Sequence, residues 1–137
     1  MNELLVLKNR LSEVEAFQRR LEDLLKQKGF SADLIHDLSL VAEEVLVNIV
    51  HYGYEEPQRS EAEIQIRLTV DDVRKVRIEI RDDAVPFNPL LVEDRDPDDD
   101  RVGGWGIPML KNLTDHVHYR REGRENVLVM ERAERDS

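Results

Sequence analysis

Three groups of residues carry side chains and spacings that could do chemistry. Glu44, Asn48 and His51 stand at i, i+4 and i+7, so a helix would place them on one stripe beside the apolar stripe of Val41, Val45 and Ile49. A carboxylate and a carboxamide one turn apart suit a hydrated magnesium ion, which takes oxygen ligands and keeps several waters. A solvated helix edge is the competing reading, and for His51 a packed helix residue competes with a metal ligand. Asp82 continues the alternation of Val76, Ile78 and Ile80 and so points toward the core. A carboxylate there is costly unless something donates hydrogen bonds to it. The exocyclic amine of an adenine would serve; so would the next turn of the chain, if the aspartate caps it. The third group is Gly103-Gly104-Trp105-Gly106-Ile107-Pro108. Glycines at a helix start let backbone amides close on a phosphate, the helix dipole favours the anion, and Pro108 fits the first turn. A glycine run alone is as readily a tight turn, and its force comes from the order of the three groups along the chain.

The elements that must position these groups are legible from periodicity. Leu4 to Leu7 reads as a short strand. Val14, Phe17, Leu21, Leu24 and Leu25 recur at helical spacing. Ser12 with Glu15 reads as a capping box at that helix's start, and Gly29 as its stop. A second helix, capped by Ser31 or Asp33, runs to about Tyr52 with Leu34, Leu38, Val41, Val45 and Ile49 on its apolar face; Gly53 and Pro57 mark its end. Ile64 to Val70 and Val76 to Ile80 alternate as half-buried strands around a turn at Asp71-Asp72. An irregular stretch from Ala84 to Val102 follows, with Pro86, Pro89, Pro97 and an acidic cluster of Glu93, Asp94, Asp96, Asp98, Asp99 and Asp100. Such a length within a domain reads as a binding loop or a solvated one. The glycine run opens a third helix to about Leu113. Val117–Arg121 and Asn126–Glu131 form a closing hairpin around Gly123, and Arg132 to Ser137 reads as a frayed polar tail.

Composition narrows the classes. The 137 residues fit one domain, and the absence of cysteine excludes disulfide scaffolds, thiolate metal sites and a cysteine nucleophile. With 20 basic and 30 acidic residues the net charge is −10, which opposes nucleic acid and anionic membranes as partners. No apolar run approaches the roughly 18 residues of a membrane span, so a cytoplasmic protein is expected.

Glu44-Val-Leu-Val-Asn48-Ile-Val-His51-Tyr-Gly53, Asp82-Asp83-Ala84-Val85-Pro86-Phe87-Asn88-Pro89 and Gly103-Gly104-Trp105-Gly106-Ile107 together resemble the three nucleotide boxes of the GHKL ATPase superfamily. Within it they are most similar to the anti-sigma-factor serine/threonine kinases of bacterial partner-switching systems. Asp115-His-Val-His-Tyr119, Gly123 and Asn126-Val-Leu-Val match the same branch. The resemblance, from about Leu34 to Glu131, implies an α+β fold of the Bergerat type. This is a two-layer α/β sandwich whose mixed, mostly antiparallel sheet is covered on one face by about three helices, in a single domain over residues 1–137. It implies ATP and Mg²⁺ as cofactors. Glu44 would be catalytic, polarising the attacking hydroxyl or ordering water near the metal, and Asn48 would ligate Mg²⁺. Asp82 would accept from the adenine amine; Ala84, Pro86, Phe87, Gly103, Gly104, Gly106 and Ile107 would border the nucleotide, and Ala84 to Val102 would form a lid. Asn126 falls where the superfamily often has a threonine that helps hold adenine through water. The implied partners are a small antagonist protein and a sigma factor. The family often dimerises, and Leu40, Val47 and Val50 would either support a dimer or pack under the first helix. A nucleotide-responsive binding module without kinase activity is the alternative, and a standalone ATPase a third.

The chain departs from the pattern at Ala84 and Pro86, where the superfamily has glycines. Ala84 is the sharper case, because alanine restricts a backbone that could need positive φ. The acidic cluster would repel phosphates unless it faces outward or Arg95, Arg101 or Lys111 compensates. His36-Asp37-Leu38 mimics a histidine-kinase phosphoacceptor, but it lacks the following Arg-x-Pro and a separate dimerising domain, so a surface histidine is expected.

Overall fold

β1 (Asn2–Lys8) is an edge strand whose Leu5 and Leu7 turn inward while Leu4 and Val6 face solvent. The computed structural model of the chain describes residues 1–88 and 106–135. Helix α1 spans Leu11–Gln27. The expected capping box does not form: Arg10 holds the cap position in an extended conformation, so Ser12 already lies inside the first turn. From there its hydroxyl cannot act as the cap, and Glu13 reaches back instead, accepting from the Lys8 N–H at 3.1 Å. The other end behaves as the glycine foretells. Gly29 has φ +78°, with its N–H on Lys26 O and that of Phe30 on Leu25 O, the bonding of a left-handed helix stop.

Ser31 caps α2 (Ala32–Asn48) by accepting from the Leu34 N–H at 3.2 Å. The α-helix ends at Asn48, short of the expected Tyr52, and passes into a π-helical turn over Ile49–Gly53. Strands β2 (Glu63–Val70) and β3 (Lys75–Asp82) form the expected hairpin. Its turn is held by Asp71, whose Oδ1 accepts from the N–H groups of Val73 and Lys75. Helix α3 (Gly106–Leu113) follows, then β4 (His116–Glu122) and β5 (Glu125–Ala133), joined at Gly123 with φ +61°. Arg132 and Ala133 belong to β5 rather than to a frayed tail: the strand continues to pair with β3, and the Glu134 N–H reaches Arg74 O.

The five strands lie in the order β1-β2-β3-β5-β4 with every pairing antiparallel. One face carries the helices, which gives a two-layer α+β sandwich. Leu7, Ile64, Ile66, Leu68, Val76, Ile78, Ile80, Leu128 and Met130 meet Phe17, Leu21 and Leu25 of α1, Leu34, Leu38 and Val41 of α2, and Leu110 of α3. Val50 joins this core, while Leu40 and Val47 are half-buried. On the other face Val127 and Val129 are buried in a lattice of Arg77, Glu79, Arg81 and Glu131. Among the described residues no helix is long and apolar enough to cross a membrane.

Candidate functional site

At one end of the inner face the apolar rows of the sheet give way to a polar one. Ile80 of β3 faces Leu128 of β5, which faces Tyr119 of β4; one step on, Asp82 faces Asn126, which faces Arg121. The period of two that fills the core therefore delivers a carboxylate, a carboxamide and a guanidinium at its margin. Asp82 is 5% exposed and Asn126 6%. Asn126 Nδ2 donates to Asp82 Oδ1 at 3.0 Å and to the carbonyls of Val85 at 2.9 Å and Ala84 at 3.4 Å. Asn126 Oδ1 accepts from the Tyr119 hydroxyl at 2.5 Å, Arg121 at 3.2 Å and the Phe87 N–H at 3.3 Å. Arg121 also donates to Ala84 O at 2.9 Å. Residues 84–87 are thus laced to β4 and β5.

Burial pushes the Asp82 carboxyl above its ordinary range, and the neighbouring Asp83 adds to this. The bonds from Asn126 and the Ala84 N–H, with the charge of Arg121, act against it. The Ala84 N–H lies 3.0 Å from Oδ1, so the local cap and the buried acceptor, posed as alternatives, coexist. Among the described residues both hydrogen bonds to Asp82 fall on Oδ1.

The second wall is the end of α2. Glu44 and Asn48 lie one turn apart, both half-buried, with Glu44 Oε2 shielded from solvent. His51 sits half-buried in the π turn, its ring 6.1 Å from that of Tyr52. No three histidine, aspartate or glutamate side chains gather as a metal site among the described residues, so an ion at Glu44 and Asn48 would draw further oxygens from a ligand or water.

Two contacts join the walls. A Cβ added to Gly53 would stand 3.0 Å from the Ala84 methyl and 3.4 Å from Ile49 Cγ2. The Tyr54 hydroxyl donates to Asp83 Oδ1 at 2.6 Å and accepts from the Asp83 N–H at 3.0 Å. Burial, reinforced by that bond to Asp83, raises the Tyr54 pKa and keeps the phenol protonated. Ala84 needs no left-handed backbone: among the described non-glycine residues Arg74 alone has positive φ.

Pro86 and Phe87 are exposed at the margin, and Gly106 and Ile107 open α3. Gly103, Gly104, Trp105 and the stretch 89–102, with its acidic cluster, Arg95 and Arg101, lie outside the described residues. At the other end of α3, Arg132 donates to Leu113 O at 3.1 Å and pairs with Asp37. His36 beside it is exposed, as expected of a surface histidine. Sequence reasoning misses Tyr54, Asp83 and Arg121 as site residues. Strand alternation could have found Arg121, which continues the inward series of Val117 and Tyr119 along β4. Nothing local marks the Tyr54–Asp83 bond, which spans 29 residues.

Residues 7–132 match the family described as the histidine kinase-like ATPase domain. Among solved structures the chain is similar to the RsbU and RsbW domains of Rv1364c from Mycobacterium tuberculosis, at 16% identity and a TM-score of 0.73. That alignment covers 100% of this chain and 34% of that one, so this chain spans about a third of that protein's length. It is similar also to the SiaB–SiaC complex from Pseudomonas aeruginosa, with 12% identity, TM-score 0.62, and 95% and 88% of the two chains covered. The histidine kinase domain of the blue-light-activated kinase EL346 from Erythrobacter litoralis aligns at 18% identity and TM-score 0.53, over 88% of this chain and 60% of that one. These likenesses speak to the fold. No curated protein sequence matches the chain.

Proposed function

The chain belongs to the histidine kinase-like ATPase family, and from that premise we propose that it is an ATP- and Mg²⁺-dependent protein serine/threonine kinase of the anti-sigma-factor type. Its substrate in this reading is a small antagonist protein of a partner-switching system, and a sigma factor is the regulator it sequesters. The observation that carries the proposal is the junction of the two walls. Tyr54 with Asp83, and Gly53 with Ala84, bring the end of the helix bearing Glu44 and Asn48 against the segment that follows the buried acceptor Asp82.

The donor set fits the group the family implies. A buried carboxylate that only accepts suits the adenine amine, and an amide oxygen beside a carboxylate suits a hard cation. Asp82 binds and orients the base. Asn48 would hold Mg²⁺, which when bound neutralises charge on the phosphates. Glu44 accepts the proton of the attacking hydroxyl and aligns it. The backbone amides that open α3 would stabilise charge on the phosphoryl oxygens. Gly104 and Gly106 are proposed to admit the phosphates, and Ala84, Pro86, Phe87, Gly103 and Ile107 to border the nucleotide.

Incubation with γ-labelled ATP and candidate antagonist proteins tests this. Label on a serine or threonine of one antagonist is the expected result. ATP binding with no transfer to any of them identifies a nucleotide-responsive module instead, and phosphate release without an acceptor identifies an ATPase.

A further inference from the structure

The geometry points to Asn126 as a positioning residue that makes the site choose adenine over guanine, by holding Asp82 as an acceptor-only carboxylate. This inference rests on the nucleotide reading above and deepens it. Adenine presents an amine donor where guanine presents a carbonyl acceptor. An ionised carboxylate accepts from the first and repels the second; a protonated carboxyl can donate, and so can serve guanine. The choice of purine therefore depends on the proton of Asp82.

Burial alone favours the neutral form. Among the described residues the titratable and charged groups that face Asp82 are Asp83, next in the chain, Tyr54 after α2, and Arg121 on β4. Of these only Arg121 favours ionisation. The rest comes from two hydrogen bonds to Oδ1, from the Ala84 N–H and from Asn126 Nδ2, each 3.0 Å long.

Asn126 can act only as a donor here, because its amide is locked. Its oxygen receives the Tyr119 hydroxyl, Arg121 and the Phe87 N–H, while its nitrogen faces the carboxylate and the carbonyls of Ala84 and Val85. Turning the amide over would set oxygen against three acceptors and nitrogen against a guanidinium and an N–H. A hydroxyl at this position could rotate between donating and accepting; the carboxamide cannot.

The test compares ADP and GDP affinity by calorimetry from pH 8 to pH 5, in wild type, Asn126→Asp and Asn126→Ala. Diphosphates avoid turnover. Wild type is expected to keep its preference for ADP to lower pH than either variant. In Asn126→Asp the ratio should fall by about tenfold or more across the window, one pKa unit being tenfold in the ionisation equilibrium, with GDP binding tightening as pH drops. Asn126→Ala should move the same way by less. Variants that bind ADP and keep the wild-type ratio at every pH overturn the inference alone. A wild type that binds neither nucleotide overturns the nucleotide reading and this inference with it. Should substitution of the buried Asn126 prevent folding, Tyr119→Phe loosens the amide from outside. The Asp82 carboxyl, followed by NMR, should then titrate at higher pH than in wild type; an unmoved titration overturns the proposal.

Discussion

Asp82 concentrates the argument at the scale of single residues. Its proposed role at the base predicts that Asp82→Asn weakens ATP binding by about 1.5–3 kcal/mol, the worth of a hydrogen bond to a charged group. Calorimetric titration checks this, and unchanged affinity would remove Asp82 from the base site. Glu44 makes the complementary case. Glu44→Ala should leave ATP affinity within a few-fold while transfer to the antagonist falls by ~10²-fold or more, as expected when a general base is lost. Single-turnover transfer measured beside binding separates the two. Much of this site is legible in the sequence, because period two and helical spacing act on side-chain direction whatever lies around them. Asp82 declares itself by continuing Val76, Ile78 and Ile80 into the core. The lacing around it does not, since Asn126, Tyr119 and Arg121 reach residues 84–87 only through strand order, which no local pattern encodes.

Between elements, the junction of the π turn with residues 84–87 decides whether the two walls share a site. The wider turn of a π-helix carries Gly53 to the Ala84 methyl, leaving no room for a second one at ordinary distance. Gly53→Val should therefore destabilise the domain by about 1–3 kcal/mol, the usual cost of overpacking. It should weaken nucleotide binding too. Gly53→Ala should cost less, and Ala84→Gly in that background should recover part of the loss. A double-mutant cycle by urea denaturation measures the coupling; strict additivity would show that the two positions do not press on each other. Element scale is also where sequence and structure part. Strand alternation, the Ser31 cap and the Gly29 stop are readable because each is local chemistry. The π turn is not, because residues 49–53 keep an apolar pattern that an α-helix would share. The start of α1 misleads because Ser12 and Glu15 satisfy a capping box whose place is fixed by the end of β1.

Across the whole molecule, the buried carboxylate sets function against stability. A carboxyl whose pKa is higher in the fold than in the unfolded chain takes up protons on folding, so its charged form opposes folding at every pH above the raised value. Asp82 is such a group, raised chiefly by burial. Its contribution makes stability fall as pH rises from its unfolded value, about 3.9, through the folded one. Asp115 works in the opposite sense. Burial would raise it too, but the Ala133 N–H and Arg135 outweigh that and lower it, so its stabilisation is present above the unfolded value and lost as pH falls through the lower folded one. Comparing Asp82→Asn with wild type cancels Asp115 and isolates Asp82. The variant, without nucleotide, should melt higher than wild type at pH 7. The gap should close below about pH 4, where both side chains are neutral. Saturating ADP should then reverse the order at pH 7, because ligand bound to the folded state stabilises it by mass action and the variant binds poorly. Scanning calorimetry at both pH values, with and without ADP, follows the crossing. A variant that melts below wild type at pH 7 without nucleotide would mean that the Asn126 and Ala84 bonds overcompensate for burial, and that the site carries no stored cost for ligand binding to relieve.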